Sequence, residues 1–321
     1  MGQVASLFDQ PKRTLCWRQR ERITDNAVGG HTMQLRSRSS ALMSGPAGLE
    51  SEAFPQVIAV SSGKGGVGKT NVVANVGMAL TKLGKRVLIL DADLGLGNLD
   101  VLLGLVPRHT IADVLAGTHT FSEIVLKGPG DVHVLPASSG VPHLTTLTES
   151  QQLIIQDQLA QFAGGMDVLL IDTGAGISTS VTFFASSADE TLIVVSPEPT
   201  SLTDAYALIK VLARQYRERR FKILVNRAKS PREAAEVFGK LDVAADRFLH
   251  VVLELVGMIP DDDYVPMAVM QQKAVLELFP EAPASDAFKK LAGQILQWPK
   301  PVLPKSSMQL VWQRSATQVG N

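Results

Sequence analysis

From Gln56 onward two kinds of apolar pattern alternate along the chain. The first is a short, nearly unbroken apolar run: Val57–Val60, Arg86–Leu90 (RVLIL), Asp167–Ile171 (DVLLI), Glu190–Val195 (ETLIVV), Phe221–Val225 (FKILV) and Leu253–Met258 (LELVGM). Runs of this length with no polar alternation read as strands buried on both faces. The second is a longer stretch with apolar positions three and four apart, read as helix: Asn71–Leu83, a segment from Thr148 to Phe162, Ser201–Tyr216 and Val265–Gln272. Gly84 stands where a helix is commonly closed. Thr148, with Gln151 three residues on, has the spacing of a capping box. Strand and helix in regular alternation predict an α/β fold, a doubly wound and mostly parallel sheet with helices on both faces. No internal repeat interrupts it.

The two ends lack this pattern. Residues 1–54 mix Arg, Ser, Gly and Gln without sustained periodicity and are expected to be a flexible, mildly basic extension, with Val4–Phe8 able to start a short helix. Pro299, Pro301 and Pro304 separate residues 55–299, the expected main domain, from a tail over 300–321. Composition adds exclusions. The 45% hydrophobic share with only 5% aromatic residues describes an aliphatic core. Basic and acidic residues balance at 31 each, so no global field points to nucleic acid or membrane. A single cysteine, Cys16, rules out a disulfide framework and fits a reducing compartment. No apolar stretch approaches the ~20 residues of a membrane span.

Chemistry enters directly after the first strand, in Ser61–Thr70, SSGKGGVGKT. Gly63 to Thr70 satisfy G-x-x-x-x-G-K-T, the loop whose backbone N–H groups cradle phosphates. Gly65, Gly66, Val67, Gly68 and Lys69 are small enough as a set for their N–H groups to turn inward, and the following helix, beginning near Asn71, adds its positive end. Lys69 is placed to reach the β- and γ-phosphates, and the Thr70 hydroxyl to ligate Mg2+. Lys64 is a lysine the basic pattern does not require. It is either a solvated surface residue or a cation supplied to a neighbouring subunit, as an arginine finger is. Two further carboxylate clusters end strands: Asp91-Ala92-Asp93 and Asp172-Thr173-Gly174-Ala175-Gly176. A strand-end Asp is often only a turn or cap residue. Ligands in such sheets nevertheless bind at carboxyl ends of strands. Asp93 is then the candidate to position or deprotonate an attacking water, and Asp91 and Asp172 the candidates for the Mg2+ shell.

Taken together, Lys64–Thr70 (K-G-G-x-G-K-T) and DADLGLGNLDVLLGL (Asp91–Leu105) resemble the deviant-Walker-A ATPases of the MinD/ParA family over roughly Gln56 to Leu296. The resemblance implies the three-layer P-loop NTPase fold, ATP with Mg2+, and an ATP-sandwiched homodimer in which Lys64 reaches the opposite site. It implies Asp93 as the catalytic carboxylate, Glu198 as a ribose contact in trans, Asn226 as reader of the adenine, and Pro260 and Asp261 bordering the base. EPTSLTDAYALIK (Glu198–Lys210) and Asp246–Leu249 ahead of VGMIP are most similar to the flagellar-number branch, FlhG/FleN. That branch implies a slow, regulatory ATPase, partners of two kinds (a FleQ-type transcription activator and an FlhF-type GTPase), and a cytoplasmic protein visiting the inner membrane at the cell pole. Two departures stand out. The partner-stimulating element of the branch, D-Q-A-x-x-L-R, is matched only by Asp9-Gln10, followed by Pro11 and with Leu15 one place late. In the tail, Met308–Arg314 forms one tight apolar cluster beside Lys305 and Arg314, which reads as weak, reversible membrane contact rather than a broad interfacial stripe. Division-site placement of the MinD kind and DNA partition of the ParA kind are the alternatives. The first wants a stronger terminal helix; the second wants a basic patch, and only Arg214, Arg217, Arg219 and Arg220 cluster, so no direct nucleic-acid binding is expected.

Overall fold

The computed structural model describes residues 55–138, 146–162 and 165–299. The expectations for Val4–Phe8, Asp9–Leu15 and Met308–Arg314 therefore fall outside the described residues. Eight strands form one sheet in the order β3-β4-β2-β5-β1-β6-β7-β8. They are β1 (Gln56–Ser62), β2 (Val87–Ala92), β3 (Leu126–Lys127), β4 (His133–Leu135), β5 (Val168–Ala175), β6 (Glu190–Val195), β7 (Arg220–Ala228) and β8 (Val252–Pro260). All pairings are parallel except the short edge pair β3–β4.

Strand alternation explains the layers. In β1, Val57 and Ala59 join the core on one side of the sheet, while Ile58 and Val60 join the core on the other. The first core is closed by α5 (Glu149–Phe162), α6 (Thr179–Ser187), α7 (Pro199–Gln215) and α8 (Pro231–Leu249). The second is closed by α1 (Lys69–Lys82) and, near the C-terminus, by α9 (Tyr264–Met270), α10 (Val275–Leu278) and α11 (Pro283–Ile295). Short helices α2 (Leu99–Leu102), α3 (Ile111–Leu115) and α4 (Phe121–Ile124) fill the connection after β2. The result is the expected doubly wound three-layer sheet.

Local signals act where they were read. Gly84 has φ +79° and its N–H bonds to the Thr81 carbonyl at 2.8 Å, closing α1. Gln151 Oε1 accepts from the Thr148 N–H at 2.9 Å, and the Thr148 hydroxyl accepts from the Gln151 N–H at 3.3 Å, so α5 opens with a reciprocal box. At the far edge, near the amino ends of β7 and β8, Lys222 lies opposite Glu254 and bonds it at 2.6 Å. The same ammonium sits 4.9 Å from the centre of the Trp298 ring, anchoring the chain just before Pro299. Among the described residues no helix is long and apolar enough to cross a membrane.

Candidate active site

Register brings the three sequence clusters together. β2, β5 and β1 are neighbours, and in their pairing Asp91 faces Asp172, Val60 faces Asp172, and Ser62 faces Ala175. The loop after β1, the Asp91–Asn98 segment and the Thr173–Gly176 segment therefore share one carboxyl-end edge, where open α/β sheets bind ligands.

The loop is shaped by backbone freedom and close approach. Gly66 and Gly68 hold φ of +78° and +93°, a region that costs other residues free energy. Gly68 caps α1, so that Lys69 and Thr70 form its first turn. The backbone N–H groups of Gly65, Gly66, Val67 and Gly68 make no hydrogen bond within the described chain. Backbone donors are rarely left unpaired except where solvent or a ligand supplies the acceptor. Ser62 Oγ donates to the Lys64 carbonyl at 2.8 Å and Thr173 Oγ1 donates to Ser61 Oγ at 3.0 Å, fastening the carboxyl end of β1 to the loop and to β5. Gly63 is pressed against the backbone of α7 at Asp204.

Both strand-end carboxylates are buried, Asp91 with 1% and Asp172 with 2% exposure. Burial pushes the Asp172 carboxyl up to about 6; Lys69 and the Thr70 hydroxyl pull it down, and Asp93 pushes it up again. Burial likewise raises Asp91 well above the usual range, and the neighbouring Asp172 adds to the rise. Their surroundings assign them different work. Asp91 spends its oxygens on backbone, accepting from the N–H groups of Asp93 and Leu99 at 3.2 Å each. It ties down the loop that carries Asp93, a positioning job the sequence reading had not separated from metal binding. Asp172 keeps Oδ1 buried without a partner. A buried carboxylate oxygen with an open acceptor beside Lys69 and Thr70 fits the hydration shell of Mg2+. Asp93 is half-buried, its Oδ1 facing Gly174. Asn71 Oδ1, one residue past Thr70, is also buried and unpartnered.

Lys64 is held by its own chain. Its ammonium bonds Glu198 Oε2 at 2.5 Å and Thr200 Oγ1 at 2.9 Å, at the exposed start of α7. The Glu198 carboxyl is held below its ordinary value, chiefly by this hydrogen bond and charge. Asn226 is not at a turn. It lies inside β7, with Nδ2 donating to the Val67 carbonyl at 2.7 Å and Oδ1 accepting from the Arg227 N–H at 3.0 Å. In this state its amide props the phosphate loop from behind. Pro260 ends β8, and Asp261 pairs with Arg227 at 3.5 Å, lining an open depression with Tyr264, Met267 and Pro283. Sequence reasoning passed over Thr200 and Arg227, and offered Thr173 only as one of several small residues beside the site. Thr200 had a faint signal, as a hydroxyl at the start of the helix begun by Glu198-Pro199. Thr173 and Arg227 act through pairing that only the folded sheet reveals.

A mostly parallel sheet with a glycine loop at the end of a central strand, and carboxylates at the ends of the adjacent strand and the one beyond it, defines a P-loop nucleoside triphosphatase. An AAA-domain family matches residues 55–224. The chain is 48% identical over 259 residues to the antiactivator FleN of Pseudomonas aeruginosa, covering 81% of this chain and 92% of that one. It is 30% identical over 252 residues to the flagellum site-determining protein YlxH of Helicobacter pylori, covering 77% and 84%. Among solved structures, the cell-division ATPase MinD of Pyrococcus furiosus superposes with a TM-score of 0.63 at 28% identity, covering 76% of this chain and 99% of that one. MinD from Pyrococcus horikoshii, complexed with Mg-ADP, gives 0.62 at 27% identity, covering 75% and 96%. The chain belongs to the MinD/ParA family of ATPases, in its FleN/FlhG branch.

Proposed function

We propose that the protein is an ATP-dependent dimerising switch that sets flagellar number, using slow hydrolysis to time the life of the dimer. The reading rests most on one observation: the extra lysine, Lys64, is turned to the exposed rim of its own chain, on Glu198 and Thr200. A cation parked there can leave for a second copy's triphosphate once ATP draws two chains together. Glu198, relieved of its lysine, becomes available to the partner's ribose.

In the bound site, Lys69 holds the β- and γ-phosphates, and the free N–H groups from Gly65 to Gly68 orient them. Thr70 and Asp172 hold Mg2+, with Asp91 keeping the wall in place; the ion, when bound, neutralises charge on the phosphate oxygens. Asp93 orients the attacking water and accepts its proton. Asn226, Pro260 and Asp261 border the base. ATP favours the dimer, and partners read the dimer's surface. The likeness to an antiactivator supports a flagellar master activator of the FleQ type as the main partner. An FlhF-type GTPase is a second partner, with a changed N-terminal element. The protein works in the cytoplasm, with weak contact through its tail at the polar inner membrane.

Lys64→Ala should retain nucleotide binding yet fail to dimerise with ATP, as read by light scattering of the Asp93→Ala background, where hydrolysis is blocked. A Lys64→Ala protein that dimerises and hydrolyses normally would end the trans role. In the cell, deleting the gene should change the number of flagella; normal flagella with misplaced septa would instead support division-site placement.

A further inference from the structure

Away from the phosphate loop, the connection after β2 gathers three metal-ligating side chains. His109 precedes Thr110, which caps α3; Asp113 is in its first turn; His119 lies in the link to α4. The two imidazoles stack with centroids 3.8 Å apart, and one donor atom from each of the three residues falls within 4.8 Å of the others. All three are half-exposed, leaving room for water.

The hydrogen bonds around them matter more than proximity. The Thr118 hydroxyl donates its only proton to the Asp113 carbonyl at 2.9 Å. Its oxygen, 3.1 Å from His119 Nδ1, is therefore left to accept. That makes Nδ1 the protonated nitrogen of His119 and Nε2 the one with a lone pair, the arrangement in which a histidine serves a metal. Asp113 is steadied in the same way: its Oδ2 accepts from the Thr110 N–H at 2.7 Å.

We propose that His109, Asp113 and His119 form a binding site for a divalent transition ion of the Zn2+ class, with water completing its coordination. Two imidazoles with one carboxylate suit such an ion and disfavour Mg2+, which prefers oxygen donors. The site is thus separate from the nucleotide's magnesium. Its position gives it leverage. Thr110 Oγ1 bonds Ser138 Oγ at 2.8 Å and the Ile111 N–H bonds the Pro136 carbonyl at 3.1 Å. Ala137, between them, packs against Gly97 of the loop held by Asp91. An ion here pins α3 to the α4 link and so stiffens the wall behind the Asp93 segment.

The test uses the full chain, freed of metal by chelator and titrated with ZnCl2 in a large excess of Mg2+. Calorimetry should show saturable binding of one ion per chain, and the melting temperature should rise with free Zn2+. His109→Ala and His119→Ala should each weaken binding by at least about tenfold, whereas His133→Ala and His250→Ala should not. Co2+ in place of Zn2+ should give visible d–d absorption that His119→Ala removes. The proposal fails if Zn2+ does not bind saturably. It also fails if the His109 and His119 variants bind like the parent, in which case the rings form only a stacked pair.

Discussion

Gly63→Ala is expected to slow ATP hydrolysis by about 100-fold, the loss a one-ångström misplacement of a site can cost, and to weaken ATP binding with it. A Cβ at this position would lie 2.0 Å from the Asp204 carbonyl carbon and 2.4 Å from the Ala205 nitrogen. Both are backbone atoms, so no rotamer change relieves the overlap. Helix α7 cannot retreat easily either, because Ala205, Leu208, Ile209 and Leu212 are fully buried beneath it. The loop must therefore move, and with it the N–H groups from Gly65 to Gly68. Phosphate release and a fluorescent ATP analogue measure the two effects. Gly239→Ala is the control: it lies in α8 with no atom within 4 Å of an added Cβ. It should leave binding alone and stabilise the helix by about 0.5–1 kcal/mol. If Gly63→Ala binds within threefold of the parent, the close packing of loop on α7 is not what shapes the cradle.

The second large effect concerns Asp172. Its folded-state value is raised to about 6, against an ordinary 3.8. Between those two values the folded chain binds more protons than the unfolded chain. Stability of the protein without Mg2+ or nucleotide should therefore fall as pH rises from about 4 to about 6, then level off. At neutral pH the cost of keeping Asp172 ionised is on the order of 3 kcal/mol. Asp91 adds a cost of the same sign. Carboxylates held down by cations, such as Asp167 and Glu198, give the opposite slope, but only below their ordinary values. Asp172→Asn should thus be more stable than the parent at pH 7, with the advantage vanishing near pH 4 in urea titrations. The same variant should need about 10–100-fold more Mg2+ for hydrolysis. Equal pH slopes for parent and variant would mean that the buried oxygen is not under electrostatic stress, and would remove the reason to place the ion there.

These two sites also show how far the sequence could be read. The apolar runs located six of the eight strands, but three of the readings stopped just before a functional polar residue. β2 continues through Asp91 to Ala92, β5 through Asp172 to Ala175, and β7 through Asn226 to Ala228. The ladder carries polar residues along where neighbouring strands still offer partners, so the functional side chains belong to strands rather than to the loops after them. The edge pair Leu126–Lys127 and His133–Leu135 was too short to rise above the background of a loop. The phosphate loop was legible because its chemistry is local: glycines, a lysine and a threonine at fixed spacing. The prop that Asn226 gives the loop was not, since its bond to Val67 joins residues far apart in the chain, and neither residue type announces it. The same holds for Lys64. Its spacing marked it as unusual, yet only the fold brings Glu198 and Thr200 to it.

Trp298 sits under the Lys222 ammonium, itself paired with Glu254, near the amino ends of β7 and β8, so the described chain ends at the opposite end of the sheet from the phosphates. In the dimer proposed above, nucleotide would govern the segment after Pro299 by number: two chains joined through their loops carry two such segments, and a grip too feeble singly would gain about 10²–10⁴ through avidity. Lengthening the link after Pro299 should therefore weaken attachment only gradually, as effective concentration falls, rather than uncoupling it from ATP.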